Sequence, residues 1–355
     1  IENFSSRYFK DANLFKELLG EFSNDDLRSW CLELGVETFV GSSGRVFPKE
    51  FKAAQLLSKW LGNLKENSNF SLHLKTKLLS IKDKKLKFCK EDEFVVESEI
   101  TILALGGSSW KKTGSDGLWT SLLKELDVGL IPFRAMNCGF EVSWSEHFKD
   151  SFDVFPIKNV IASIGDKSVR SEIMITSYGV EGSAIYAISR HIQDEISKNG
   201  SSKIYLDLVP YLKHSEIFEK LSKKNKSSMS NHLRKVLKIN SQTNRLIKDC
   251  ITKEEYLSHE LLSRALKSLP VKLLSSRPID EAISTSGGVA LSEVSVNFNL
   301  KNNEHIYIGG EMLDWDAPTG GYLLQGCFSI GLQTQPVPFV LSHLADYQLS
   351  VLWFH

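Results

Sequence analysis

The chain has 355 residues, in which 43 Lys and Arg cancel 43 Asp and Glu. A formal charge of zero excludes a whole-chain attraction to nucleic acid or to an anionic membrane surface. Charged residues at 24% and apolar residues at 42% exclude extensive disorder, and the length suggests two or three domains.

Taken in chain order, residues 1–67 read as helical. Ser23 caps a helix that opens with Asp25 and Asp26 and stops at Gly35, where a left-handed residue is cheap. Pro48 is expected to open another helix, with Phe51, Ala54, Leu57, Trp60, Leu61 and Leu64 on one face. Between them lies the polar turn Gly41-Ser42-Ser43-Gly44-Arg45, in which Arg45 is either a surface or ion-pair residue or a ligand contact. Over 70–96, short β-type runs alternate with charged turns and predict a small meander. Residues 100–105 form a continuous apolar run, expected to be a strand buried on both faces as in a parallel α/β sheet. That run ends in Gly106-Gly107, and 116–127 follows as a helix.

Residues 129–209 mix β-runs, at 160–163 and 171–176 around Gly165-Asp166, with one helix from Ser183. The pattern over 210–276 is helical and rich in Lys and Ser. A second buried-type strand, 305–308, again ends in glycines, Gly309-Gly310. Glycine is unevenly spread: 12 of the 23 lie in 106–117 and 287–331, and none lies in 201–286. That glycine-free stretch carries 12 Lys and 4 Arg against 9 acidic residues, so it is +7 and the remainder −7. These patterns predict one α/β domain interrupted by an insertion from about 130 to 280. In open α/β sheets ligands bind at the carboxyl ends of the strands, and both glycine clusters fall at such ends.

Three constellations can carry chemistry. The first is 104–110 with Thr113-Gly114-Ser115-Asp116-Gly117, where glycines admit a ligand close to the backbone and Asp116 can cap the next helix; a tight turn without a ligand is the alternative. The second is 308–326, where Glu311 stands at a strand tip as an acceptor for ligand hydroxyls and Gly320-Gly321 precedes a helix start. The third is 176–186, where Ser183 either caps a helix or begins one that closes over a ligand. Other chemistries find no support. The five cysteines are scattered and never in a Cys-x-x-Cys pair, no two histidines stand four apart, and Gly-x-Ser-x-Gly is absent. No apolar run approaches the ~20 residues that span a bilayer, and a reducing cytoplasm fits the cysteine usage. No two glycines are separated by one residue, so the Gly-x-Gly-x-x-Gly dinucleotide fingerprint is missing.

The segments Gly44-Arg45-Val46-Phe47-Pro48, Ala104-Leu105-Gly106-Gly107-Ser108-Ser109-Trp110 and Thr113-Gly114-Ser115-Asp116-Gly117 resemble those of bacterial FAD-dependent oxidoreductases, the aminoacetone-oxidase-like flavoproteins and their relatives. So do Ala282-Ile283-Ser284-Thr285-Ser286-Gly287-Gly288-Val289 and Ala317-Pro318-Thr319-Gly320-Gly321-Tyr322-Leu323-Leu324-Gln325. The resemblance runs in order from about 1 to 331. It implies an α/β fold: a Rossmann-like FAD-binding domain of glutathione-reductase type, with inserted β-barrel-like and helical domains. The expected boundaries are 1–129 and 282–335 for the FAD-binding domain, 130–209 for the β-rich insertion, 210–281 for the helical one and 336–355 for an atypical tail. The resemblance places Arg45, Ala104, Gly106, Gly107, Gly114, Asp116, Gly117, Gly310, Glu311, Gly320, Gly321, Tyr322 and Leu323 around the FAD. It also implies a small organic substrate and NAD(P)H as a possible electron donor.

Two departures stand out. The family's opening strand, glycine fingerprint and ribose-binding acid would all precede Ile1, so a chain missing its first βαβ unit is expected. After Gly331, Gln333-Thr334-Gln335-Pro336-Val337-Pro338 replaces the family's continuing helix. No residue stands out as acid or base; Tyr178, Glu181 and Trp315 are candidates because the resemblance would bring their motifs near the flavin ring. The competing reading is a non-catalytic module that docks an acidic partner or nucleic acid on the basic 201–286 segment. Against it, no aromatic residues are interleaved with those lysines as stacking would require.

Overall fold

The computed structural model describes residues 1–149, 153–223, 227–334 and 349–353. The chain divides into two compact units, Ile1–Arg134 with Ser284–His355, and Ala135–Ile283.

Unit 1 begins with α1 (Glu2–Ser5), a 3₁₀ segment, α2 (Ala12–Glu21) and α3 (Asn24–Glu33). The start of α3 follows from its residues. Ser23 accepts from the amides of Asp25 and Asp26, and the Asp26 carboxylate accepts from the Ser23 amide, so two orphan donors are satisfied reciprocally. Ser23→Ala is expected to lower stability by about 1 kcal/mol in urea denaturation, and an unchanged midpoint would show the cap to be idle. After Gly35 at φ +72 come β1 (Thr38–Val40) and β2 (Val46–Pro48), an antiparallel hairpin. Pro48 thus ends a strand instead of opening a helix. The helix α4 (Ala53–Lys65) begins five residues later, and Phe51, at φ +54, lies outside it. No residue of α4 is buried.

The strands β3 (Phe70–Leu74), β4 (Lys77–Lys82), β5 (Lys85–Cys89) and β6 (Glu93–Glu97) fill the expected meander region. Only β4, β5 and β6 form the meander itself. Next come β7 (Thr101–Leu103), α5 (Thr120–Glu125) and β8 (Leu130–Met136). The apolar run at β7 is not covered on both faces: Thr101 and Leu103 are buried, while Ile102 is 53% exposed. The helix expected over 116–127 is shorter, because Asp116 and Gly117 belong to the turn before it.

Unit 2 contains β9 (Phe140–Glu141), α6 (Glu146–Lys149), β10 (Phe155–Ile164), β11 (Lys167–Ile175), β12 (Gly179–Glu181), α7 (Ser183–Asn199) and β13 (Ser202–Asp207). The helices α8 (His214–Ser222), α9 (Met229–Leu237), α10 (Ser241–Cys250), α11 (Lys253–Leu257) and α12 (His259–Lys267) lead to β14 (Leu269–Leu273). Its six strands pair antiparallel in the order β14-β13-β10-β11-β12-β9. The sheet's ends meet: Leu274 donates to the Glu141 carbonyl at 2.9 Å and Glu141 to the Ser275 carbonyl at 2.8 Å, so the chain just past β14 pairs with β9. One hydrophobic core takes in both the sheet, through Ile173, Ile204 and Leu206, and the helices, through Leu233, Leu246 and Leu262. Ser183 is not the cap of α7. That position is Gly182, at φ +101, and the Ser183 hydroxyl instead meets Ser171 at 2.6 Å.

The chain returns to unit 1 with β15 (Ser284–Val289), β16 (Ile306–Ile308), α13 (Tyr322–Gln333) and β17 (Leu349–Trp353). β15 lies beside β8, β16 pairs with β7, and β17 runs parallel to β3. Of the helix break expected over 333–338, Gln333 is the last residue of α13 and Thr334 its C-cap, while 335–338 lie outside the described residues, as does the tail expected at 336–355 apart from β17. The unit's core gathers Tyr8, Phe15 and Leu19 from the N-terminal helices with Ile308, Met312 and Trp315 from the C-terminal part.

Candidate functional site

The pair β7 and β16 is parallel, in the register Thr101 opposite Ile306 and Leu103 opposite Ile308. Parallel strands leave a sheet at the same edge, so Gly106-Gly107 and Gly309-Gly310 emerge side by side. The Gly309 amide donates to the Leu103 carbonyl at 2.8 Å, which carries the pairing up to the first of the two turns.

Each turn is held by an indole. Trp119 Nε1 donates to the Gly106 carbonyl at 2.9 Å, and Trp315 Nε1 to the Gly310 carbonyl at 2.8 Å. Trp315 is 2% exposed and packs on Tyr8 and Phe15, so its place is structural and it is no acid or base. Between the turns lies Thr285 of β15, whose Oγ1 accepts from the Ser108 amide at 3.2 Å. A Cβ on Gly107 would overlap that oxygen and would sit 3.8 Å from the Glu311 carbonyl. Sequence reasoning quoted Thr285 within a motif but did not place it in the site. The Gly287-Gly288 pair just after it was the available signal for a close backbone approach in this stretch.

The expected ligand-facing residues separate by what surrounds them. A Cβ on Gly106 would meet Ser115 Oγ at 2.9 Å, and one on Gly117 would meet Ser108 Oγ at 2.7 Å, so these glycines let two loops interlock. Asp116 Oδ1 accepts from the Leu118 amide at 3.0 Å, two residues on, and does not cap α5. Ala104 is exposed, with its Cβ 3.7 Å from where a Cβ on Gly309 would be. Gly310 adopts φ +61 and faces Cys327, whose buried thiol is pushed up by desolvation. Gly321, at φ +97, caps α13 and faces open space. Gly320 abuts the Arg45 side chain, with Nε 3.1 Å from the position of a Cβ. The Tyr322 carbonyl accepts from Tyr8 at 2.7 Å, and Leu323 packs on the core.

Glu311 differs from its neighbours. Its carboxyl is largely shielded from water and makes no side-chain hydrogen bond among the described residues, and desolvation pushes its pKa up to about 7. A shielded acceptor of this kind suits a ligand hydroxyl that donates to it. The electropositive start of α13 at Gly321 suits an anionic or electron-rich group. These two features fit FAD, which presents ribityl hydroxyls and an electron-rich ring edge.

A separate groove of about 540 Å³ takes in Gly114 and Asp116 of the expected set, with Leu105 and Trp119 on its wall and Lys75, Lys77 and Lys111 along it. Gly310, Glu311 and residues 320–323 do not line it.

In unit 2, Tyr178 donates to Glu181 Oε2 at 2.6 Å, and the Arg277 guanidinium lies 4.3 Å over its ring. Burial, then the Glu181 hydrogen bond, raises the Tyr178 pKa, so the hydroxyl keeps its proton at neutral pH. Among the described residues, no group of His, Cys, Asp or Glu is placed to hold a metal ion, and no helix is long and apolar enough to cross a membrane.

The family described as HI0933-like protein Rossmann domain matches residues 1–335. The 3-dehydro-bile acid delta(4,6)-reductase of Clostridium scindens is 24% identical over 347 residues, covering 91% of this chain and 82% of that protein. Among solved structures, the open conformation of a flavocytochrome c3 fumarate reductase is similar over 89% of this chain at 13% identity and a TM-score of 0.43. Mycobacterium smegmatis Sdh1 in complex with UQ1 is similar over 95% of the chain at 13% identity, with a TM-score of 0.38. The chain spans 62% and 58% of the lengths of these two structures.

Proposed function

Because the chain belongs to the HI0933-like Rossmann family of FAD-dependent oxidoreductases, we propose that it handles a small organic substrate by flavin-mediated hydride transfer. The observation that carries this reading is the parallel β7/β16 pair, which delivers two glycine turns and the unpartnered Glu311 carboxyl to one edge. FAD bound there would supply two-electron hydride chemistry. The chain's own residues bind and orient. Glu311 accepts a hydroxyl proton donor, and the amides at the start of α13 favour negative charge. Thr285 holds the Ser108 amide beside Gly107, and the two indoles hold the Gly106 and Gly310 carbonyls. The 540 Å³ groove, apolar on one wall and bearing three lysines, suits the phosphate-bearing end of a dinucleotide.

The Clostridium scindens relative is named as a reductase, which supports a reductive direction with reduced nicotinamide as electron source. Amine oxidation of the aminoacetone-oxidase kind, with O₂ as acceptor, is the alternative within the same chemistry. A cytoplasmic location accords with five free cysteines. The docking-module reading is less well supported. In the basic segment Lys223, Arg264, Lys267 and Arg277 pair with Glu219, Glu260, Asp207 and Glu281.

The protein purified with any upstream coding sequence included is expected to be yellow, with one flavin per chain and an absorption band near about 450 nm. A colourless protein that does not take up added FAD would overturn the assignment.

A further inference from the structure

The hairpin of β1 and β2 carries an aromatic surface that the core of unit 1 does not use. Phe39 stands opposite Phe47 in the strand register, with ring centroids 5.9 Å apart. Phe51 closes the group at 5.3 Å from Phe39 and 5.7 Å from Phe47. None of the three belongs to the buried cluster, and Phe51 is 69% exposed at a left-handed φ of +54. Val40 and Val46 are exposed as well, but on the opposite face of the hairpin, so the patch is the three rings alone. Contiguous exposed apolar surface marks a place where something binds, and a left-handed phenylalanine is a strained conformation that persists only where the surroundings hold it.

Arg45 stands at the turn of this hairpin. The Gly41 amide donates to its carbonyl at 2.8 Å, so the strand alternation continues through it and Arg45 projects to the side of Phe47. Its guanidinium has no carboxylate partner among the described residues, whereas the neighbouring Lys49 is paired with Glu37. The side chain lies against Gly320, and the next residue, Gly321, faces open space beside Leu324, which is 56% exposed. One unpaired planar cation is therefore set among apolar surfaces, next to the helix start already described.

We propose that this hairpin is the recognition site for an apolar organic carboxylate. The acid is held bidentately by Arg45, and its hydrocarbon body lies on Phe39, Phe47 and Phe51. A guanidinium with no partner of its own is matched to a carboxylate by its fork geometry, and flat aromatic faces are matched to hydrocarbon. A lipid surface would need several unpaired cations around the patch; beside Arg45 there is Lys52 after Phe51, offset by the exposed Glu50, while Lys49 is paired with Glu37. That such a carboxylate is the substrate of a redox reaction rests on the oxidoreductase reading; the binding site itself does not.

The test is calorimetric titration of the full protein, as purified, with decanoate and with decyltrimethylammonium, read alongside flavin content at about 450 nm. Decanoate is expected to bind and the cationic analogue not to. Arg45→Ala is expected to weaken decanoate about tenfold or more, with Arg45→Lys recovering part of the loss. Phe51→Ala, at the most exposed ring, is expected to weaken both decanoate and a neutral decyl glycoside in protein that still unfolds cooperatively, with at most a small drop in midpoint from the lost ring contacts. Saturable, Arg45-dependent binding in protein without flavin would keep this site and remove the oxidoreductase reading. Full flavin content with decanoate affinity indifferent to Arg45 and Phe51 would overturn the site and leave the oxidoreductase reading intact. Loss of flavin in Arg45→Ala with decanoate binding unchanged would assign Arg45 to the cofactor and overturn it. A change of sedimenting mass in Phe51→Ala with unchanged decanoate affinity would make the hairpin a contact between copies and also overturn it.

Discussion

Gly288→Ala is expected to destabilise the protein by about 3 kcal/mol or more. Gly288 holds φ +109, which costs any residue with a Cβ, and the Cβ itself would overlap the carbonyl oxygen of Met312. A flexible side chain could give way, but this obstacle is backbone pinned from both sides. Val289 bridges to Leu313, the Asp314 amide donates to the Val289 carbonyl at 2.8 Å, and Trp315 is fixed to Gly310. Relief would have to come from moving β15 away from the Glu311 turn, which also separates Thr285 from Ser108. Against a domain stability of about 5–15 kcal/mol, such a loss shows as poor soluble yield or a large drop in denaturant midpoint. Gly331→Ala is the control. Gly331 is in α13 with no atom within 4 Å of the added Cβ, and there alanine should stabilise by about 0.5–1 kcal/mol. Equal midpoints for the two variants would contradict the packing described.

Glu311→Gln is expected to remove a pH dependence of stability in the ligand-free protein. Desolvation raises the folded carboxyl to about 7, against the ordinary 4.5. Between those values the folded state binds more protons than the unfolded one, so stability falls as pH rises. The contribution is fully present below about 4.5 and is lost as pH rises through about 7, amounting to roughly 3 kcal/mol. The glutamine variant should therefore match the parent near pH 4.5 and exceed it at pH 8. In the FAD-bound protein, a hydroxyl donating to the carboxylate would lower its pKa, so FAD affinity should rise with pH toward 7 and flatten in the variant. Parallel stability curves for parent and variant would remove Glu311 from this role.

What could be read from the sequence was whatever depended on neighbours along the chain. Ser23 with Asp26 is a local contract of three residues, and a strand that stops at paired glycines is visible without knowing its partner. That both buried-type strands end in glycines was visible, but not that β7 and β16 pair directly in parallel. Ile102 was misjudged because an apolar run says nothing of which face is covered. Pro48 was misjudged because a proline fits the end of an edge strand as well as a first helical turn. Thr285 meets Ser108 across 177 residues, and a threonine in a buried strand gives no periodic sign of that meeting. Arg45 was visible as a residue but not as a cation without a partner, since absence of an ion pair is a property of the folded surroundings.

The ends of unit 2 meet within it, the Ile283 amide donating to the Asn137 carbonyl at 3.3 Å. For unit 1, which is encoded in two stretches, this has a kinetic meaning. Uniting Arg134 with Ser284 through a loose loop of about 150 residues would cost roughly 4 kcal/mol in chain entropy. A folded unit 2 presents those two ends already adjacent, and so turns a long-range encounter between β7 and β16 into a short-range one.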